Sequence, residues 1–286
     1  MTILLAGCGD LGTEAGLRFA AAGHRVVGWR RSPDKLPAEI EGVAADLSTA
    51  DLPAIPADTT VVVIAVAADS PTETAYRAAY VDGLAHVLDA LRRDGVAPGR
   101  VLFVSSTAVY GDAGGGWVDE GTTPAPGGFS GRILREAEEL LLSRLRGTGT
   151  TPVVLRLGGI YGPGRTRLID QVRSGAAVVP DEPRYTNRIH RDDAAAAIVH
   201  LGTLESMPAP VYVGVDNDPA DLGDVLRFLA SEMAHPEPPT GPAGEARGGN
   251  KRCSNALLRS TGFNFAYPSF REGYRDILAG KGVRHP

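Results

Sequence analysis

Residues Met1–Arg31 read MTILLAGCGDLGTEAGLRFAAAGHRVVGWRR, and this stretch decides the fold. Thr2–Ala6 is an uncharged, mostly apolar run suited to a strand buried on both faces. Gly7, Gly9 and Gly12 follow at G-x-G-x-x-G spacing, Thr13–Ala22 reads as an alanine-rich helix ended by Gly23, and Arg25–Trp29 as a second strand. Together they form one βαβ unit of a nucleotide-binding sheet. Gly7 permits the turn out of the strand, Gly9 lets the backbone approach a pyrophosphate, and Gly12 lets the helix pack close to the sheet. Asp10 and Leu11 complete the loop at a helix N-terminus whose free N–H groups and dipole favour phosphate. A glycine-rich turn with no ligand is the alternative, and the flanking strand, helix and second strand weigh against it.

The residues after the second strand refine the expected ligand. An Asp or Glu there would take the ribose 2′-hydroxyl of NAD, but this chain has Arg30 and Arg31. A guanidinium binds a 2′-phosphate through paired hydrogen bonds, whereas a carboxylate repels it. NADP is therefore expected in preference to NAD, the alternative being a solvated arginine pair.

At 286 residues the chain can bury a large core as one domain or a domain and a half. A formal net charge of −5 gives no support for a nucleic-acid partner or a polybasic membrane patch. Cys8 and Cys253 are far apart and Cys8 lies in the phosphate loop, so no disulfide is expected and a reducing cytoplasm fits. No early segment reads as a signal peptide, no apolar run is long enough to span a membrane, and no metal site is expected.

Further along, Asp46 follows a third short strand, where it could accept from an adenine amino group or serve as a loop acid. Thr60–Ala67 (TVVVIAVA) reads as a central strand, and the small residues at its end, with Ala65, Val66 and Ala67 among them, would let a cofactor lie against the backbone. Ser70-Pro71-Thr72-Glu73 reads as a capping box opening one helix to about Arg93, with Tyr80, Leu84, Val87, Leu88 and Leu91 on its core face and His86 on its surface. Arg100–Val104 is the next strand and runs into Ser105 and Ser106; a glycine-rich loop, Asp112–Gly128, precedes a helix over Ser130–Arg146. Thr151–Leu157 is a further strand leading to Gly158 and Gly159. The alternation gives an α/β, Rossmann-type doubly wound parallel sheet over 1–157, with ligands at the carboxyl ends of its strands. Residues 158–286 are expected to form mainly a small C-terminal substrate lobe packed on the first part as one compact unit. In that lobe the spacing predicts helices over Leu168–Gly175, from Asp192 or Asp193 to Leu201, and over Asp221–Met233, with a strand at Val211–Val215. Ala234–Gly249 reads as a mobile loop, and Asn255–Ser260 and Ser269–Ala279 as short helices.

Four blocks in order, the Gly7 loop, VSSTAVYG at Val104–Gly111, LRLGGIYGPGR at Leu155–Arg165 and IHRDD at Ile189–Asp193, resemble the extended short-chain dehydrogenase/reductase superfamily, in its NAD-dependent epimerase/dehydratase group. GCGDLG and the segment from Lys251 to Tyr274 look like its atypical branch. The resemblance implies a Ser or Thr that hydrogen-bonds the substrate oxygen, matched by Ser106, with Ser105 beside the cofactor. It also implies a Tyr that moves the proton, and a Lys four residues later that lowers the Tyr pKa and holds the ribose. That Tyr-x-x-x-Lys pair is missing: no tyrosine lies between Tyr110 and Tyr161 and no lysine between Lys35 and Lys251. Arg132 or Arg135 could keep the contact to the ribose. Tyr110, Glu120 or Asp119 could supply a proton, although packing for Tyr110 and solvation for the loop acids are the plainer roles. His190 reads as structural, and Arg156, Arg165 and Arg188 as anion-binding or acid-paired.

The expectation is an NADP-preferring, NAD(P)-dependent oxidoreductase or epimerase acting on a small hydroxyl or carbonyl substrate. The expected partner is that small molecule, with a homodimer allowed and neither nucleic acid nor membrane involved. A non-catalytic NADP(H)-binding sensor is the rival, and a sugar-nucleotide epimerase a third reading.

Overall fold

A computed structural model describes residues 1–242 and 248–286; residues 243–247 of the expected mobile loop lie outside it. Seven parallel strands form the central sheet: β1 (Thr2–Ala6), β2 (Arg25–Arg30), β3 (Glu41–Ala44), β4 (Thr59–Ile64), β5 (Arg100–Ser106), β6 (Thr151–Leu157) and β7 (Val211–Gly214). Their spatial order is β7-β6-β5-β4-β1-β2-β3, so the winding reverses between β1 and β4. That switch point opens the crevice at the carboxyl edge. β7 comes from beyond Leu157 and pairs with β6, so the sheet draws on both parts of the chain.

Successive side chains on a strand point to opposite faces, and both faces of this sheet are covered. Leu4, Val62 and Phe103 pack with Leu84, Val87, Leu134 and Leu141 from helices α3 (Gly83–Arg93) and α4 (Phe129–Arg144), whereas α2 (Glu73–Tyr76) leads into α3. Ile3, Leu5 and Val63 pack on the other side with Phe19 of α1 (Asp10–Ala21) and Ile198 and Leu201 of α6 (Arg191–Thr203). A third cluster, with Ile169, Val172, Val225, Leu229 and Phe270, joins α5 (Arg167–Arg173), α7 (Leu222–Glu232) and α9 (Phe270–Leu278); the short α8 (Ala256–Ser260) packs beside β7.

Several boundaries differ from the sequence reading. α1 begins at Asp10 rather than Thr13, and β4 ends at Ile64, although the Ala65 N–H still bonds the Ala6 carbonyl. Thr72, not Ser70, caps α2: its hydroxyl accepts from the Ala75 N–H. The expected single helix to Arg93 is interrupted by a π-helical turn over Arg77–Asp82. Within the expected glycine loop, Trp117–Val118 pairs with Arg252–Cys253. His190, rather than Asp192 or Asp193, caps α6, its Nδ1 accepting from the Asp192 N–H at 3.2 Å.

Candidate functional site

The loops leaving β1, β2, β3, β4, β5 and β6 enclose a cleft of about 790 Å³ along the carboxyl edge. Its floor is the glycine loop. Gly7 has φ +89°, and a Cβ there would lie 2.8 Å from the Ala65 carbonyl oxygen. A Cβ on Gly12 would lie 2.8 Å from the Gly7 carbonyl oxygen, so the first helical turn rests directly on the strand end. Gly9 differs: a Cβ there meets nothing within 4 Å, so internal packing does not explain its glycine. Gly9 also caps α1 with no side-chain hydrogen bond, which leaves the first-turn N–H groups without a capping acceptor. This cradle fits a phosphate group.

The other expected cofactor residues distribute unevenly. Gly7, Gly9, Asp10, Leu11, Arg30, Arg31, Asp46, Ala65, Val66, Ala67 and Ser105 all border the cleft. Asp10 is engaged within the protein, its Oδ2 accepting from Arg165 Nε and its Oδ1 from Arg191 Nη1, each at 2.9 Å. Arg31 makes a two-pronged pair with Asp69, both contacts 2.7 Å, and Arg30 donates to a main-chain oxygen of Pro286 at 3.1 Å. Asp46 accepts from the Ser48 N–H and hydroxyl, and these bonds hold its carboxyl below the usual range. Lys35, which the sequence reading left aside, lies on the same rim as the two arginines.

Arg132 stands apart from the cleft. It is exposed in a shallow groove with Pro126, Arg135, Glu136 and Glu139, and the residue that α4 turns into the cleft is the uncharged Leu134. Tyr110 and Glu120 are also placed elsewhere. Tyr110 is buried, and its oxygen accepts from Arg156 Nη1 at 2.9 Å. Glu120 accepts from the Val213 N–H at 2.7 Å and so braces the edge strand β7; burial raises its carboxyl.

Two serines end β5 with different engagements. The Ser105 hydroxyl donates to Glu138 at 2.6 Å, and Glu138 is in turn paired with the buried Arg156. Ser106 is half-buried; its oxygen accepts from the Ala108 N–H at 3.2 Å, so its own O–H is available to a ligand. The anion-binding alternative thus narrows: Arg156 serves Glu138, while Arg165 borders both the cleft and an adjoining groove with Ile160, Thr166 and Arg167. Cys8, also in the cleft wall, has its thiol pushed up to about 11 by burial and is no ready nucleophile. Tyr80 borders the cleft as well. Its place in a helical apolar stripe concealed it.

A glycine cradle at the switch point of a 3-2-1-4-5-6-7 parallel sheet defines a Rossmann-type dinucleotide-binding architecture. A profile of the NAD dependent epimerase/dehydratase family matches residues 3–211, and the chain belongs to that family. Protein YeeZ of Escherichia coli K12 is 30% identical over 231 aligned residues, covering 73% of this chain and 78% of that protein. A Methylobacillus flagellatus structure described as an NAD-dependent epimerase/dehydratase is 37% identical, with a TM-score of 0.79 over 98% of both chains. A Silicibacter pomeroyi protein of unknown function is 27% identical, with a TM-score of 0.76 over 99% of both chains.

Proposed function

We propose that the chain is an NAD(P)-dependent oxidoreductase or epimerase, favouring NADP, that acts on a small hydroxyl or carbonyl compound. The observation that carries this reading is the single cleft joining the uncapped glycine loop to the unspent hydroxyl of Ser106. The Gly7–Gly12 loop and the N-terminus of α1 would hold the pyrophosphate, and Arg30 and Arg31 a 2′-phosphate. Bound there, the dinucleotide would supply or accept a hydride. Ser106 would donate its O–H to the substrate oxygen, and Arg165 at the mouth of the adjoining groove suits a polar or anionic substituent. No helix among the described residues is long and apolar enough to cross a membrane, and the free, buried Cys8 and Cys253 suit a cytoplasmic location.

Leu134 favours the second reading, a cofactor-binding sensor without turnover, because α4 offers no charge to the cleft. Calorimetric titration with NADP and NAD separates the parts of this proposal. NADP should bind more tightly, and Arg30→Ala with Arg31→Ala should weaken NADP much more than NAD; an equal loss for both removes the 2′-phosphate assignment. Ser106→Ala should lower turnover roughly 100-fold, the low end for loss of a positioned donor. Unchanged turnover removes Ser106 from the mechanism, and binding without turnover by the native chain favours the sensor.

A further inference from the structure

We propose that Tyr80, carried by the π-helical turn to the wall of the cleft that Ser106 also lines, donates the proton to the substrate oxygen. This inference rests on the oxidoreductase reading above. The candidates were the polar groups bordering the cleft. Asp10 is tied to two arginines, Asp69 to Arg31, Asp46 to Ser48, and the Ser105 hydroxyl to Glu138. Ser106 is a donor, but an aliphatic hydroxyl gives up a proton far less readily than a phenol. Among the described residues, Tyr80 is the one tyrosine bordering the cleft, and it does so together with Ser106 and Leu134.

The backbone explains how it arrives there. Along a regular helix Tyr80 would continue the apolar stripe of Leu84, Val87, Leu88 and Leu91 into the core. The wider π turn over Arg77–Asp82 changes that phase: none of its residues is fully buried, and Tyr80 packs on the rim of the core cluster rather than within it. Tyr80 is left half-buried, its ring 5.4 Å from Tyr76, whose own ring meets Phe129 edge-on at 5.4 Å. Phe129 is the first residue of α4, so the turn carrying Tyr80 packs on the helix that carries Leu134. The ring is fixed from one side, by Tyr76 and through it by Phe129. π turns recur at functional sites because they aim a side chain that a regular helix would hide.

The step balances as a carbonyl reduction. A bound reduced dinucleotide would supply the hydride to the carbonyl carbon; Tyr80 would give up its phenol O–H as the new O–H forms on the substrate oxygen, and the phenolate would regain a proton from solvent. Burial keeps the Tyr80 hydroxyl protonated, pushed up to about 12, so it begins each cycle as the acid.

The test compares the native chain with Tyr80→Phe, which keeps the ring and removes only the oxygen, and with Tyr76→Phe as a packing control. With tyrosine labelled by carbon-13 at Cζ, the resonance lost in Tyr80→Phe should move when NADP is added to the native protein; a stationary resonance overturns the assignment. NADPH oxidation with a panel of small aldehydes and ketones, from glyceraldehyde to cyclohexanone, should fall roughly 100-fold in kcat in Tyr80→Phe, the low end for losing a general acid. The NADPH dissociation constant should stay within about twofold, and Tyr76→Phe should retain turnover. Turnover unchanged in Tyr80→Phe overturns Tyr80 and leaves the oxidoreductase reading standing, whereas nucleotide binding with no turnover by the native chain overturns both.

Discussion

At the scale of single residues, the buried titratable groups set how stability follows pH. Asp216 is 1% exposed, its Oδ2 has no hydrogen-bond partner among the described residues, and burial pushes its carboxyl up to about 8 despite nearby Arg188. A carboxyl raised in this way holds a proton in the folded state that the unfolded chain has already released. Its contribution is therefore lost as pH rises from about 4 through about 8. His190 behaves in the opposite sense. It is stacked against Tyr267, with ring centroids 3.8 Å apart, and burial lowers it to about 4, so its contribution is full above 6.5 and lost as pH falls towards 4. Between pH 4 and 6.5 the two slopes oppose each other; from 6.5 to 8 the Asp216 slope continues alone of the two. Urea denaturation should show unfolding free energy falling from pH 6.5 to 8, with a flatter limb in Asp216→Asn. A native limb already flat over that interval contradicts the assignment. Neither residue carried this information in the sequence, since a lone Asp after a strand and a His before a helix look like loop punctuation until their burial is seen.

At the scale of elements, α4 shows where local pattern ran out. Its existence and its apolar face were legible from Ile133, Leu134, Ala137 and Leu141, which recur at helical spacing. Which polar residue would meet the cleft was not. Arg132 and Leu134 are two positions apart, so they point about 200° away from each other, and tertiary packing chose Leu134. The same packing created the chain of contacts from Ser105 through Glu138 and Arg156 to Tyr110, which ties α4 to β5 and β6. Glu138 and Arg156 are 3% and 5% exposed, and their closest contact is 2.6 Å. Removing one partner leaves the other charge buried and unpaired. Glu138→Ala should cost about 3–5 kcal/mol by chemical denaturation, while an exposed pair such as Arg77 with Glu136, cut by Glu136→Ala, should cost under about 1 kcal/mol. Equal small losses for both would mean that the buried pair is not closed in solution. The glycine loop lies at the other extreme of legibility: its spacing, strand and helix are all local, so Gly7–Gly12 could be read residue by residue. The π turn could not, because its residues fit the apolar period of the helix they interrupt.

At the scale of the whole molecule, the parallel sheet followed from the alternation of strands and helices, but its closure did not. β7 joins the sheet beside β6, and α6 packs on α1, both through pairings between residues far apart in the chain. The last residues supply another such connection. Arg191 Nη2 donates to the Val283 carbonyl, the His285 N–H donates to Asp10, the His285 ring meets Glu14 at 2.9 Å, and Arg284 donates to the Gly164 carbonyl. Residues 283–286 thus lie across the first turn of α1 and the loop carrying Arg165, with a main-chain oxygen of Pro286 on Arg30. A main-chain oxygen on Arg30 competes with the 2′-phosphate proposed for that guanidinium, whereas NAD would place only an uncharged 2′-hydroxyl there. Deleting residues 283–286 should therefore tighten NADP relative to NAD, read as the ratio of the two calorimetric dissociation constants. The deletion also frees Asp10 Oδ1 from one donor while Arg165 and Arg191 still hold the carboxylate, so the glycine loop keeps its anchor and NAD affinity should change little. An unchanged ratio would show that the Arg30 contact with the tail is spent before either nucleotide arrives, and a fall in both affinities together would show that the tail supports the loop itself.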